Sequence, residues 1–159
     1  MGKEIERKFL VSTIPPDIID QFQALLVHQG YISSDPAEQQ VRVRSKGVDF
    51  FLTVKGKGQL ERDEVEIKLS AEQFDALWPL TEGRRIEKKR YEIPYQEHTI
   101  ELDLFEGALS GLVVAEVEFA SVEESQTLLL PDWFGKEVTE DARYTNSQMA
   151  SSQKIPEQQ

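Results

Sequence analysis

Three charged side chains near the N-terminus have the types and spacing to bind a metal ion together with an anion. Glu4, Glu6 and Lys8 occur at every second position, whereas Ile5 and Phe9 fall on the alternate positions. A β-strand places alternate side chains on one face, so the two carboxylates and the ammonium would stand in one row. Such carboxylates can hold a divalent cation, and the lysine can hold an anion on it. A solvated edge strand with a charged outer face would show the same pattern.

Later segments repeat this alternation, with the charges sorted by sign. Most of the predicted strands carry charged residues on one face and aliphatic residues on the other, which in an ordinary antiparallel sheet means a face turned to water. A solvated face usually mixes positive and negative charges, whereas here the rows are separate. The basic rows contain Arg42, Arg44, Lys88 and Arg90, and the acidic rows contain Glu4, Glu6, Glu116 and Glu118.

Composition narrows the classes of function. The 159 residues suffice for one domain with a hydrophobic core. There is no cysteine, which excludes disulfides and a thiol nucleophile. The formal net charge of −11 argues against binding to nucleic acid or to an anionic membrane surface. No stretch resembles a membrane span or a signal peptide, and we expect a soluble cytoplasmic protein. Any anionic ligand must therefore meet a local basic cluster.

The elements that would position these residues are mainly strands. Apolar alternation predicts strands over 3–11, 31–32, 40–46, 50–55, 60–69, 85–94, 99–106 and 112–119. Helical spacing predicts helices over 17–27, 71–78 and 121–130, with Ser70 and Gln73 forming a capping box for the second. Thr139 is a candidate cap for a short helix containing Asp141 and Arg143, and the polar segment from Ser151 onward is predicted to be frayed.

About eight strands are enough to close a barrel. If the helices covered an apolar outside, the charged rows would line the inside. The sequence thus leaves two interpretations: an antiparallel sheet with a solvated charged face, and a barrel with a charged lumen.

The motifs, taken in order along the chain, resemble the CYTH superfamily, also called triphosphate tunnel metalloenzymes. The first is the ExExK-like segment 4–8, and similar motifs recur over nearly the whole chain. They lie at 29–31, 41–44, 52–55, 88–91, 103–107, 116–119 and 137–146. The resemblance implies an α+β fold in which an eight-stranded antiparallel β-barrel forms a tunnel with a charged lumen and helices packed on the outside. It implies a domain over 1–150 and a flexible tail over 151–159.

The closest resemblance is to short bacterial members that hydrolyse inorganic triphosphate to pyrophosphate and phosphate. It implies Mg²⁺ or Mn²⁺ as the cofactor, with Glu4, Glu6 and Glu118 as the first choices of ligand. Asp103 and Glu116 are second choices, because either could instead orient a basic side chain. Catalysis is expected to depend on Lys8, Glu6 and Glu118. The expected substrate contacts are Lys8, Arg42, Arg44, Lys55, Lys88, Arg90 and Arg143.

Several roles stay open at this point. Glu64 and Glu66 could bind metal or pair with arginines, and Tyr31 could form a hydrogen bond at the tunnel mouth or pack. Lys57 and Arg62 could touch substrate, although Lys57 between two glycines is typical of a solvated turn. Trp133 and Phe134 are predicted to pack rather than to hold a nucleobase.

The alternative functions are a class IV adenylate cyclase, a thiamine triphosphatase, and a non-catalytic module that binds polyphosphate or nucleotide. The intact acidic rows count against the last, because anion binding alone would not need them. The oligomeric state cannot be inferred from the sequence.

Overall fold

The computed structural model describes residues 5–33, 39–56 and 63–157. Its centre is one eight-stranded antiparallel sheet with the strand order β1-β8-β7-β6-β2-β3-β4-β5. The strands are β1 Glu6–Leu10, β2 Leu25–Ser33, β3 Gln40–Lys46, β4 Asp49–Lys55, β5 Glu64–Leu69, β6 Arg85–Tyr95, β7 His98–Phe105 and β8 Val113–Glu118. The helices are α1 Pro16–Gln21, α2 Ala71–Leu77, α3 Val122–Thr127 and α4 Asn146–Ser152. Short 3₁₀ turns cover Trp78–Thr81, Gly107–Leu109 and Ala142–Tyr144.

The strand registers place the sorted charges on one side of the sheet. Residues directly opposite each other in an antiparallel ladder point to the same face. Glu6 pairs with Glu118, Lys8 with Glu116, and Arg90 with Asp103. We call this side the charged face. Its members include Glu6, Lys8, Gln29, Tyr31, Arg42, Arg44, Thr53, Lys55, Glu64, Glu66, Lys88, Arg90, Glu101, Asp103, Glu116 and Glu118.

The opposite side of the sheet is apolar and carries helices. One cluster there packs Ile18 of α1 and the aromatic rings of Trp133 and Phe134 against β1, β8, β7 and β6. A second packs Phe74 of α2 against Val43 and its neighbours on β3 to β5. Helix α2 begins with the predicted capping box, in which Ser70 and Gln73 satisfy each other's backbone N–H groups. The predicted eight-stranded antiparallel fold, charged on one side and apolar under helices on the other, is confirmed.

The two outermost strands, β1 and β5, do not pair with each other over the described ranges. The outer edge of β1 is covered by the segment 135–139. The amide of Leu10 donates to the Lys136 carbonyl at 2.9 Å, and that of Val138 donates to the Lys8 carbonyl at 2.8 Å. A Cβ atom on Gly135 would lie only 2.7 Å from the Leu10 carbonyl oxygen, so this close approach requires glycine.

An apolar cluster lies on the charged side of the sheet, at one end of the charged rows. Met149 and Ala150 of α4, together with Tyr144, pack against side chains from five adjacent strands. The strand residues are Leu10, Tyr31, Ile86, Phe105 and Val114. Helix α4 therefore packs on the charged side of the sheet, unlike the predicted outer helices. It also crosses the predicted domain boundary at residue 150, so the prediction of a frayed segment from Ser151 is wrong for the last turn of this helix.

Two other local predictions are wrong. The helix predicted over 17–27 ends at Gln21, because Phe22 is already extended and Leu25 begins β2. Val27 is fully buried between Lys46 and Lys88 of the neighbouring strands, and this sheet pairing outweighs the helical spacing.

The short helical turn near residue 143 is capped by Asp141 and not by Thr139. The side chain of Thr139 instead bonds the backbone of β1 through the amide of Lys8, at 3.0 Å. None of the helices in the described ranges has both the length and the apolar character needed to cross a bilayer.

Candidate active site

Three carboxylates converge where β1 meets β8. Glu6 and Glu118 are direct ladder partners, and Glu116 lies two residues before Glu118 on the same face. One oxygen from each of the three lies within 4.8 Å of the others. Carboxylates this close repel one another unless a cation or proton lies between them, and oxygen ligands suit Mg²⁺ or Mn²⁺. The predicted ligands Glu6, Glu116 and Glu118 are thus brought together, whereas Glu4 lies outside the described residues.

Lys8 is buried beside this carboxylate cluster. Its Nζ atom lies 3.8 Å from Glu116 Oε2 and donates a hydrogen bond to the Tyr144 carbonyl at 3.0 Å. Burial alone would raise the pKa of Glu116, but the charge of Lys8 and a hydrogen bond with Glu6 outweigh it and lower that pKa. Glu116 therefore stays ionised at neutral pH, with the Lys8 Nζ atom at its side.

Asp103 connects the basic residues of β6. Both of its oxygens bind Arg90, at 2.8 Å and 2.9 Å, and Lys88 Nζ lies 2.9 Å from Oδ2. Burial opposes the ionised form, yet the two cations hold the pKa of Asp103 well below its usual range. Of the two roles left open for Asp103, this geometry favours orienting a basic side chain.

Lys88 is the most deeply buried of the basic groups, with a side chain 1% exposed. Desolvation lowers its pKa to about 8, even though Asp103 acts in the opposite direction. Arg90 behaves differently, because the charges of Asp103 and Glu101 outweigh its burial and raise its pKa. Within one strand, β6 thus holds one permanent cation and one that titrates near pH 8.

The arginines of β3 have fewer partners. Arg42 donates to Thr53 Oγ1 at 3.3 Å, and Arg44 lies 3.6 Å from Glu66. The Nε atoms of both arginines are buried and have no hydrogen-bond partner among the described residues. Burial, followed by repulsion from Arg42 and Arg90, lowers the pKa of Arg44. This region therefore has buried positive charge and spare donors, which is the environment an anion requires.

Some residues on the charged face were missed by the sequence predictions. Glu101 accepts a hydrogen bond from Arg90 at 2.8 Å and lies directly opposite Glu116. Gln29 is 1% exposed and donates to the Tyr31 hydroxyl at 3.0 Å, and its own Oε1 is buried with no partner in the part of the chain that the structure describes. The signal was the alternation itself, because Glu101 is in phase with Asp103 and Gln29 with Tyr31. Tyr31 both packs in the apolar cluster and forms this hydrogen bond.

Other predicted residues lie away from the buried network. Arg143 is 46% exposed and is held by both oxygens of Asp141, at 2.7 Å and 3.0 Å. Lys55 lies on β4 between Gln40 and Glu64.

Glu66 bonds Thr53 at 3.1 Å and pairs with Arg44, in line with the pairing alternative. Phe134 packs on Phe9 at a centroid distance of 4.8 Å and Trp133 packs on Phe134, as predicted. Lys57 and Arg62 lie outside the described residues.

Comparisons with known proteins identify a matching family and several relatives. The CYTH domain profile matches residues 2–153. An inorganic triphosphatase of Nitrosomonas europaea is 45% identical over 150 residues, covering 94% of this chain and 97% of that protein. An inorganic triphosphatase of Acetivibrio thermocellus is 40% identical over 158 residues, covering 96% of each.

Among solved structures, the crystal structure of an inorganic triphosphatase has a TM-score of 0.71 at 42% identity and covers 99% of each chain. A putative adenylate cyclase from Bacillus halodurans shares the fold at a TM-score of 0.58 and 21% identity, with coverage of 100% of this chain and 96% of that one.

Proposed function

The chain belongs to the CYTH domain family, and from this premise we propose that it hydrolyses inorganic triphosphate to pyrophosphate and phosphate with the help of a divalent cation. The site lies on the charged face of the sheet. The proposal extends to this chain what the names of its two curated relatives say of them.

One observation carries the proposal: a cluster of three carboxylates and a cluster of buried cations lie on the same face of one sheet. The carboxylates are close enough to share one ion. Arg42 and Arg44 each keep a donor, Nε, that none of the described residues satisfies. A triphosphate carrying about four negative charges together with its metal would satisfy both clusters, whereas a simple anion would leave the carboxylates without a role.

Glu6, Glu116 and Glu118 are the residues that would hold the cation, with Glu4 as the fourth candidate from the same strand segment. A bound Mg²⁺ or Mn²⁺ would offset phosphate charge and lower the pKa of a coordinated water. Asp103 is assigned a different task, because its two oxygens already hold Arg90 and Lys88.

The basic residues would bind and orient the phosphate chain. Arginine forks suit two oxygens of one phosphate, so Arg42, Arg44 and Arg90 would fix the orientation of the substrate. Lys88 and Lys8 would act as point charges next to the carboxylate cluster. Lys55 and Arg143 would contact the outer part of the chain of phosphates, and Arg143 would have to release Asp141 to do so.

The reaction requires no covalent nucleophile from the protein. A water oxygen forms a bond to a terminal phosphorus while the bridging P–O bond breaks, and the electron pair of that bond leaves with pyrophosphate. The water loses a proton, which the carboxylate of Glu6 or Glu118 would receive, while Lys8 would hold the phosphate as a cation. The basic residues stabilise the charge on the equatorial oxygens by preorganised contacts, which is the main contribution a protein makes to phosphoryl transfer.

The test is a phosphate-release assay with triphosphate, ATP, thiamine triphosphate and pyrophosphate, each with Mg²⁺, Mn²⁺ or excess chelator. We expect a kcat/KM for triphosphate at least about tenfold above that for ATP, or about 1.4 kcal/mol of preference. Faster formation of cyclic AMP than of phosphate would move the assignment to the cyclase. Tight triphosphate binding without turnover under any of these conditions would make the protein a binding module.

A further inference from the structure

The strand β5 presents one edge that no strand covers over the described ranges. Its other edge pairs with β4 from Glu64 to Leu69. On the side of β5 away from the charged face, Val65 and Ile67 are 47% and 49% exposed, although they are β-branched residues in a regular strand. The opposite end of the sheet differs, because the edge of β1 is covered by the segment 135–139.

The phase of the β4–β5 ladder shows which peptide groups face this open edge. The amide of Gly56 donates to the Asp63 carbonyl at 2.8 Å, so the peptide groups of Asp63 point toward β4. In an antiparallel ladder this direction alternates with each residue. The peptide groups of Glu64, Glu66 and Lys68 therefore point outward and are available to another strand.

We propose that this edge is a self-association surface, on which β5 of a second copy of the chain pairs antiparallel about a two-fold axis at Ile67. This register places Glu66 opposite Lys68 of the second copy, twice by symmetry. Their outward peptide groups face each other across the axis and form four backbone hydrogen bonds. On the apolar side, the two Ile67 side chains meet, and Val65 meets Leu69 of the second copy.

Electrostatic repulsion favours the register centred on Ile67 over the register centred on Glu66. An axis at Glu66 would also match the backbone donors and acceptors, and it would pair Glu64 with Lys68. It would in addition place the two Glu66 carboxylates directly opposite each other, however, and like charges at that position are destabilising. Lys68 is 70% exposed, and within the described residues it pairs with Asp49, which is 49% exposed, at 3.2 Å. Such an exposed pair is weak, so the Lys68 ammonium can turn toward a second copy.

The pairing surface is a short strand, so the association should depend on protein concentration. Charged residues on an edge strand can also serve to keep a protein monomeric. A pairing edge and an edge that is kept monomeric by its charges respond differently when the charges at positions 66 and 68 are reversed.

The test measures the molar mass of the full chain by sedimentation equilibrium over a range of concentrations. The wild type should form dimers. Lys68→Glu and Glu66→Lys should each raise the dissociation constant at least about tenfold, because each creates two like-charge pairs. An equimolar mixture of these two variants should form heterodimers, since positions 66 and 68 then again carry opposite charges across the axis. The matched controls are Lys89→Glu and Glu87→Lys, which change exposed residues of the interior strand β6 and should dimerise like the wild type.

Circular dichroism melts of every variant would establish that each is folded. A wild type that stays monomeric at every concentration would overturn the proposal. Dimers that persist in both single variants would overturn the interface. A mixture of the two variants that stays monomeric, while the wild type dimerises, would overturn the register. None of these outcomes depends on triphosphatase activity, so the result is independent of the proposed function.

Discussion

Replacing Asp103 by Asn should destabilise the protein substantially. The substitution keeps the shape of the side chain but removes the charge that holds Lys88 and Arg90, and all three side chains are at most 6% exposed. Removing one partner of a buried ion pair costs about 3–5 kcal/mol, because the remaining charge is left uncompensated. For a chain of this size, 1 kcal/mol corresponds to about 2–4 °C in Tm, so we expect Tm to fall by roughly 6–20 °C.

The loss of unfolding free energy caused by Asp103→Asn should also depend on pH. Asp103 is the main influence that raises the pKa of Lys88, which burial lowers to about 8. Without Asp103 this pKa falls further, and above it the buried lysine is neutral. The difference in unfolding free energy between wild type and variant should therefore be smaller at pH 9 than at pH 7. The assay is urea denaturation at both pH values, without metal or phosphate.

Asp141→Asn is the matched control, because Asp141 also binds an arginine with both oxygens but does so at the surface. It should leave the midpoint of unfolding nearly unchanged. Adding Lys88→Met to Asp103→Asn should recover part of the loss, since one uncompensated cation is then removed. If Asp103→Asn unfolds at the same urea concentration as Asp141→Asn, the buried network does not have this energetic role.

Three further predictions concern the site. Glu6→Gln should abolish most phosphate release while its circular dichroism melt stays unchanged. The control variant Glu87→Gln, on the outer face of the sheet, should retain full activity. Full activity of the wild type in excess chelator would contradict the metal mechanism. Arg44→Ala should lower kcat/KM by about 10²-fold, as for the loss of one preorganised charged contact. It should also raise Tm without substrate, because the repulsion of Arg44 by Arg42 and Arg90 is removed; a lower Tm would contradict this. The KM for triphosphate should increase as pH rises through about 8, where Lys88 loses its charge. The unfolding free energy should increase from about pH 8 to 10.5, because over this range the unfolded chain binds more protons than the folded chain. Neither trend should remain in Lys88→Met.

The sheet and its charged face could be predicted because the alternation of charged and apolar residues is strict. Arg42 and Arg44 alternate with Val41 and Val43, and a one-residue shift in register would bury the charges under helix α2. The order of strands and the partners of each carboxylate could not be predicted in this way. That Glu101 lies opposite Glu116 depends on how β7 and β8 pair, which is a long-range property.

The wrong and missing helix predictions have local physical causes. Leu25 and Leu26 fit the helical spacing of the preceding residues, yet they belong to β2, because pairing with β6 and β3 satisfies the backbone of this segment. Helix α4 was missed because its segment, Asn-Ser-Gln-Met-Ala-Ser-Ser, is mostly polar. Only Met149 and Ala150 are buried, and no periodic apolar face indicates the helix. For the same reason, the sequence could not show that an apolar cluster closes one end of the charged rows.

The segment 135–139 on the outer edge of β1 has a mechanical consequence. A closed barrel of strands can change its circumference only by breaking backbone hydrogen bonds between strands. Over the described ranges, residues 8–10 of β1 bond this segment and not β5, so the two ends of the sheet can move relative to each other by a change of twist.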